Sequence, residues 1–464
     1  MNPQVLRTMD LTDPTRRILS ELVGTHLTRH GGELLPSGSD AANASAGDAA
    51  EPRTAAWRDG IEILDASVLL EGRPGLVDVL AEVDGDIVHL VLGLRAPGDE
   101  SHFLSGDEGT VLGLYEDDDG LAVAFDALLD SELVGALVGF LTDGQDEVER
   151  VRPMPAPRGT YAFALDDRLA LNVFNRLSSG SNGTDPVLEM LTGLDRAGFN
   201  HVAAPLLVWR HRDRDLGFLQ ELMVGGSDGW ALALTSLRDL YASACSPEEA
   251  GGDFASEARA LGTMTARMHL ALDSAWGRRP GDVVAWTEGI RASVLEADPD
   301  VLNRHDVQLL LSDVQAMQVP CQAIRTHGDY HLGRVSRIEQ GWYVSDLTPG
   351  GIKASGVGML QPGFAGEPLY RSPLADVADM LWSFRHVAMV AATERDPNDS
   401  EGLSRSAAAW ERRNRRAFLA GYLNVAGIGG LVPPPRSAVR KLTAAFELER
   451  SALNMVAKSL NPLR

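Results

Sequence analysis

Cysteine is nearly absent: the 464 residues hold only Cys245 and Cys321. Two thiols so far apart, each flanked by helical or strand-like apolar sequence, do not make a disulfide framework or a metal site. They read as reduced core residues. Positive charge is also short, with 42 Lys and Arg against 65 Asp and Glu, a formal net charge of -23. Non-specific binding to nucleic acid or an anionic membrane needs a basic face that neutralises phosphates, so this balance argues against both. No run reaches ~18 apolar residues, and the N-terminus lacks the basic-then-apolar order of a signal peptide. The expected location is the cytoplasm. Internal repeats at solenoid spacing are missing too.

The chain is long enough to bury a large core and to divide into two or three domains. Its 44% hydrophobic and 23% charged residues are those of an ordinary soluble globular protein. Pro14 to Leu27 reads as a short amphipathic helix, and Gly31 to Pro52 as an aperiodic loop. From Trp57 to Val123 short alternating runs such as Val88–Leu94 predict an antiparallel sheet. Glu116-Asp117-Asp118-Asp119-Gly120 lacks the spaced ligands of a calcium loop and reads as a hairpin turn. Helical spacing returns at Asp126 to Phe140. Gly159 to Asn175 reads as a hairpin turning at Asp166-Asp167, and Asp185 to Leu194 as a helix with Pro186 at its first position. Strands follow at Leu206 to Arg210 and Leu216 to Met223. Beyond Glu257 the chain is mostly helical, including Leu261–Leu272, Leu374–Met389, Ala407–Leu423 and Leu442–Leu460. The order describes an α+β chain with a strand-rich lobe and a helical lobe.

The helical part carries Thr326-His327-Gly328-Asp329-Tyr330-His331-Leu332-Gly333-Arg334, followed by a short apolar strand that ends at Asp346. Two carboxylates about seventeen residues apart suit phosphoryl transfer, one receiving the acceptor's proton and the other holding magnesium. The competing reading is a surface hairpin whose Asp residues only satisfy turns.

Several further stretches give the loop a context. They are Gln220-Glu221-Leu222 to Gly229-Trp230, Thr265-Ala266-Arg267-Met268-His269-Leu270-Ala271-Leu272, and Ser372-Pro373-Leu374-Ala375-Asp376-Val377-Ala378-Asp379-Met380. With the loop His327–Arg334, these resemble the actinobacterial maltokinases over most of the chain. That family belongs to the aminoglycoside-phosphotransferase-like branch of the protein-kinase-like fold. The resemblance implies a bilobal α+β fold with an N-terminal cystatin-like cap. It divides the chain into cap and intermediate β region (1–150), N-lobe remainder with the nucleotide hinge (151–245), and helical C-lobe (246–464). The implied reaction is transfer of the ATP γ-phosphate to maltose, with Mg2+, in α-glucan and trehalose metabolism. The implied partners are a small-molecule sugar and trehalose synthase.

Carried over residue by residue, Asp329 matches the catalytic base and His331 a loop-bracing histidine. Asp346 matches a magnesium ligand, Glu189 the helix glutamate that pairs with the phosphate lysine, and Gln220 and Leu222 the adenine hinge. Trp230 and His269 read as packing residues. The departures fall on the chemistry. Asn172 stands where the family has the phosphate lysine, which leaves Glu189 without its cationic partner. Arg334 stands where the family has a metal-binding glutamine, and a guanidinium, having only donors, cannot ligate a cation. Leu347-Thr348-Pro349 replaces Phe-Glu-Gly, a Gly-rich insertion runs over 350–363, and the acceptor helix around Phe446–Asn454 has lost its Tyr and second Glu. Two readings follow. One is a maltokinase-like phosphotransferase in which Arg334 takes over the lost lysine's charge on the γ-phosphate. The other is a pseudokinase that scaffolds or regulates a glucan or trehalose enzyme. An aminoglycoside or small-alcohol kinase rests on shared fold alone.

Overall fold

Alternating apolar residues between turn-forming clusters close the N-terminal half of the chain into antiparallel sheets. The computed structural model describes residues 7–34, 60–99, 111–117, 120–156, 159–177, 183–243, 246–249, 253–345, 347, 370–395 and 400–460. The strands are β1 (Arg7–Thr8), β2 (Ile61–Leu70), β3 (Gly75–Val83), β4 (Asp86–Arg95), β5 (Val111–Asp117), β6 (Gly120–Asp126), β7 (Val151–Met154), β8 (Thr160–Leu165) and β9 (Leu169–Phe174). They continue with β10 (Arg176–Leu177), β11 (Pro205–His211), β12 (Arg214–Glu221), β13 (Ser227–Asp228), β14 (Arg279–Pro280), β15 (Gln322–Arg325), β16 (Val335–Ile338), β17 (Gly341–Val344) and β18 (Tyr370–Arg371). The helices are α1 (Asp13–Leu34), α2 (Ser131–Leu141), α3 (Pro186–Arg196), α4 (Gly229–Ser243), α5 (Ala255–Trp276) and α6 (Val283–Ala297). After them come α7 (Pro299–Asn303), α8 (His305–Gln315), α9 (Leu374–Arg395), α10 (Ser400–Leu423) and α11 (Arg436–Leu460). Among the described residues, no helix is long and apolar enough to cross a membrane.

The chain divides into two compact units, one of residues 1–188 with 205–222, the other of 189–204 with 223–464. In the first, the strands run β1-β2-β3-β4-β6-β5, with β10 paired to β4. Leu19, Leu22, Val23 and Leu27 of α1 pack on Val77, Val79, Val88, Leu90 and Leu92 of this sheet, so one helical stripe covers one sheet face. The hairpin expected at Glu116–Gly120 is present, with Asp117 opposite Gly120 and its carboxylate held by Arg73. A second sheet runs β11-β12-β9-β8-β7. Its β8–β9 turn holds Asp166 and Asp167 at φ 51° and 50°, a left-handed pair that suits the tight hairpin and that Asp tolerates better than most residues.

The helix expected from Asp126 to Phe140 is broken. Asp126 accepts from the Leu128 N–H at 3.0 Å and caps a 3₁₀ turn over Ala127–Leu129. Asp130 then accepts from the Glu132 and Leu133 N–H groups and starts α2 afresh. A short carboxylate side chain competes with helical carbonyls for these donors, which is why Asp breaks periodicity that hydrophobic spacing alone would continue.

Helix α3 starts at Pro186, as its fixed φ and missing donor favour. Asp185 caps it, accepting from Val187 and Leu188 at 2.9 and 3.2 Å. Burial pushes this carboxyl up to about 6; the helix N–H groups oppose the shift and the neighbouring Asp215 adds to it. A pKa raised above its unfolded value means that the folded state prefers the neutral acid. Stability from this group is therefore full near pH 4 and is lost as pH rises through about 6. Asparagine caps equally well and carries no charge. Asp185→Asn is thus expected to be more stable than the parent at neutral pH, by about 1 kcal/mol after allowance for partial exposure, and equal to it near pH 4. Urea midpoints at the two pH values read this directly.

The second unit is mainly helical. Two three-stranded sheets, β13-β16-β17 and β14-β15-β18, present the loops between the helices. The three large helices α5, α9 and α10 enclose Phe254, Phe384, Trp410, Phe418 and Tyr422, all buried. Cys321 is a buried free thiol, in keeping with the reading as a reduced core residue, and Cys245 lies outside the described residues.

Candidate functional site

The loop between β15 and β16 is short, polar and buried, so every backbone donor in it needs a partner. Asp376, on the first turn of α9 and fully buried, supplies two of these partners. Its Oδ2 accepts from His327 N–H and its Oδ1 from Gly328 N–H, both at 2.9 Å. Gly328 sits at φ 87°, where a side chain would be strained, and this lets consecutive amides converge on one carboxylate. Asp376 also meets His269 Nε2 at 3.2 Å, and His269 Nδ1 meets the Tyr422 hydroxyl at 2.9 Å. Burial alone would raise the Asp376 carboxyl; the hydrogen bond and charge of His269, His327 and the Gly328 amide outweigh it and hold it low. Tyr330 is fully buried with its hydroxyl 2.9 Å from Thr265 Oγ1, and Leu332 N–H donates to Ser383 Oγ. The loop is thus pinned to α5 and α9. His269, read as a packing residue, is the inner support of this clamp.

Asp329 projects from the pinned loop and is 8% exposed. Its Oδ1 accepts from Arg450 Nη1 at 2.6 Å, and its Oδ2 from Arg334 Nη2 at 2.9 Å and Nε at 3.3 Å. His331 Nε2 lies 3.6 Å from Oδ2, at ion-pair distance, while its Nδ1 accepts from Gly333 N–H and caps the turn Leu332–Arg334. Burial would raise the Asp329 carboxyl, but His331 and Arg450 outweigh it and hold it far below the usual carboxylate range. Behind it stands Asp379, with Oδ2 3.7 Å from Arg450 Nη1. Burial pushes Asp379 up to about 8; Arg450 opposes the shift, and Asp376 and Asp329 add to it. Arg450 lies over the Trp382 ring at 5.3 Å, and its buried Nε has no hydrogen-bond partner among the described residues.

These geometries rearrange the expectations. Arg334, expected to reach toward a phosphate, is folded back on Asp329 five residues earlier. A buried anion at contact distance is the strongest local attraction for a guanidinium. Glu189 is not without a cation: Arg325 Nη2 donates to its Oε2 at 2.8 Å, and the Arg325 guanidinium also lies over Trp276. Arg325 comes from β15, 136 residues on, so no local pattern signalled it. Three residues of the site carried no role in the sequence reading, namely Asp376, Asp379 and Arg450. The signal available was the i, i+3 pair Asp376/Asp379, which shares one helix face.

Of the residues expected to meet the nucleotide, Asn172, Gln220 and Leu222 lie in the first unit, and Glu189 and Arg334 in the second. Asn172 pairs in register with Ala162 and Phe218, and its buried side-chain nitrogen has no hydrogen-bond partner among the described residues. An amide there offers donors to a phosphate but no charge. The chain's three lysines are Lys353, Lys441 and Lys458, so none stands anywhere in residues 1–352 to replace the missing one. Gln220 lies in β12 between Ala170 and Pro205. The Leu222 N–H is given to Arg168 O at 2.9 Å, so adenine would take it only by breaking that bond.

Asp346 and the insertion 350–363 lie outside the described residues. The other magnesium position is Arg334, a cation already bonded to Asp329. Among the described residues no group of three or more His, Cys, Asp or Glu is placed to hold a metal ion.

No family model matches the chain. A glucosamine kinase from Streptacidiphilus jiangxiensis is 28% identical over 263 residues, 53% of this chain. The match spans about half of that relative, 56% of its length. Among solved structures, a glucosamine kinase in complex with glucosamine, ADP and inorganic phosphate is similar with a TM-score of 0.61 and 19% identity, covering 87% of this chain and 93% of that one. Another crystal form of glucosamine kinase gives 0.62 and 20%, covering 96% and 95%. The chain has the α+β, kinase-like fold of these structures.

Proposed function

We propose that this protein is an ATP-dependent phosphotransferase whose acceptor is a sugar hydroxyl. The observation that carries the reading is Asp329, a near-buried carboxylate at the tip of a loop clamped by Asp376, in a chain with the fold of glucosamine kinases. In this reading the acceptor oxygen attacks the γ-phosphorus in line, the bond from phosphorus to the ADP oxygen breaks, and the hydroxyl proton passes to Asp329 Oδ2. A carboxylate held so weakly basic orients the hydroxyl and takes its proton late, after bond formation to phosphorus has made that proton acidic. Oδ2 is the oxygen Arg334 now occupies, so acceptor binding displaces that guanidinium. The released fork is then free to donate to a phosphate oxygen of the nucleotide.

Maltose is the acceptor implied by the sequence resemblance, with trehalose synthase as the implied partner; glucosamine is named for the matched relatives. Calorimetry of magnesium-dependent ATP binding, with a transfer assay over glucosamine, maltose and glucose, tests the reading. Phosphorylation of one of them is expected, and absence of ATP binding at ~1 mM nucleotide, well above the affinity of a working kinase, would refute it. With the acceptor sugar present, so that Arg334 is released from Asp329, Arg334→Ala is expected to weaken ATP binding about tenfold or more, the worth of one charge-assisted contact. Equal affinity in the variant removes Arg334 from the phosphate site.

A second reading, a non-catalytic regulator of a glucan or trehalose enzyme, is favoured by one observation: both oxygens of Asp329 are held by arginines. Tight nucleotide-independent association with such an enzyme, together with no transfer to any sugar, would decide for it.

A further inference from the structure

Helices α5 and α10 cross with their backbones in contact. A Cβ on Gly262 would stand 2.1 Å from Phe418 O, and one on Gly421 2.0 Å from Arg259 O. Beside this crossing lie two adjoining cavities of about 630 and 300 Å3, which share Arg259 and Ala420. Arg259 and Arg267 line one wall from α5, and Arg412 and Arg416 the other from α10. All four are exposed, and none of their guanidinium groups has a hydrogen bond or ion pair among the described residues. Their neighbours on α10 behave differently: Arg413 also lines the larger cavity, where it is tied to and offsets the lining carboxylates Asp253 and Glu248, and Arg415 is tied to Glu447. In a chain with a net charge of -23, acidic partners are plentiful, so four adjacent unpaired guanidinium groups mark the trough out.

We propose that this trough docks an extended acidic segment of a partner protein. Arg259 and Arg267 are eight residues apart on α5, about 12 Å at the helical rise. Residues i and i+4 of an extended strand are ~13 Å apart and face the same side, so two acidic side chains at that spacing reach both guanidinium groups. The floor of Ala417, Ala420 and Gly421 leaves room for a peptide backbone and small side chains. A lone phosphate would need donors converging on one point, whereas these cations are spread along the trough. A nucleic acid would extend its charge beyond the trough over a strongly acidic molecule. A short segment with two or three carboxylates avoids both difficulties, and the arginine forks suit them bidentately.

The test is fluorescence anisotropy of a labelled peptide of alternating Glu and Ala on the full-length protein at ~0.15 M salt, where distant surface charge is screened. Saturable binding is expected, weakened about tenfold or more by Arg259→Glu with Arg416→Glu and changed less than about twofold by Arg440→Glu, an exposed arginine on α11. These positions are exposed, and unchanged thermal melting confirms that the variants fold. Absence of saturable binding, or an equal loss in the Arg440 variant, overturns the proposal. Displacement of the peptide by tripolyphosphate at a lower concentration than by unlabelled peptide also overturns it, in favour of a phosphate site.

Discussion

Asp329→Asn is expected to lower sugar phosphorylation about a thousandfold while leaving ATP affinity nearly unchanged. An amide of the same shape still accepts from Arg450 through its oxygen, but its NH2 puts a donor where Oδ2 stood and the amide does not take up the acceptor's proton. The same change should cost stability. The Asp329 carboxyl titrates below its unfolded value, so its ionised form stabilises the fold at any pH above the unfolded pKa, and this contribution is lost as pH falls through the folded value. Asparagine removes that contribution and leaves Arg450, 8% exposed, with only Asp379 at 3.7 Å, a carboxyl that burial pushes up to about 8. A loss of about 1–3 kcal/mol follows from leaving one charged group unpaired. Steady-state rates, nucleotide calorimetry and denaturant unfolding on one preparation separate the two effects. A variant that transfers phosphate at the parental rate would show that Asp329 is not the group receiving the proton.

Asp376→Ala is expected to have the largest effect on stability. The side chain is fully buried and serves three donors, the His327 and Gly328 amides and the His269 ring. Alanine leaves all three without an acceptor where no water reaches, at a cost of about 3–5 kcal/mol. That is a large share of the ~5–15 kcal/mol by which domains are stable. The loop would also lose the geometry that presents Asp329, so kcat should fall far more than nucleotide affinity. The conservative change Asp376→Asn keeps one acceptor oxygen and should restore part of both properties. Equal loss of kcat and nucleotide affinity in the Ala variant, without rescue by the amide, would mean that the clamp serves folding alone.

Much of the architecture was legible because its causes are local. The turn at Asp166-Asp167, the start of α3 at Pro186 and the alternation in β3 and β4 depend on residues within a few positions of one another. Where local chemistry of two kinds competed, legibility failed: apolar spacing from Asp126 to Phe140 predicted one helix, and the capping carboxylates Asp126 and Asp130 divided it. Glu189 shows the limit more sharply. From the sequence its cation was missing along with the lysine at position 172, yet the fold provides Arg325 from a distant strand.

The make-up of the candidate loop can be read off the chain without any coordinates, with Asp329, His331 and Arg334 in it, and so can the lack of any lysine before position 353. The shortage of cations in an acidic chain is legible in the same way. Where those cations go is a matter of the folded structure alone. Folding turned Arg334 back onto Asp329, brought Arg450 from 121 residues away to the other oxygen, and left Arg259 and Arg416, beside a trough, without an ion pair among the described residues. The physical reason is that ion pairing depends on separation and on exclusion of water. Beyond a few residues along the chain, both are properties of packing and not of spacing.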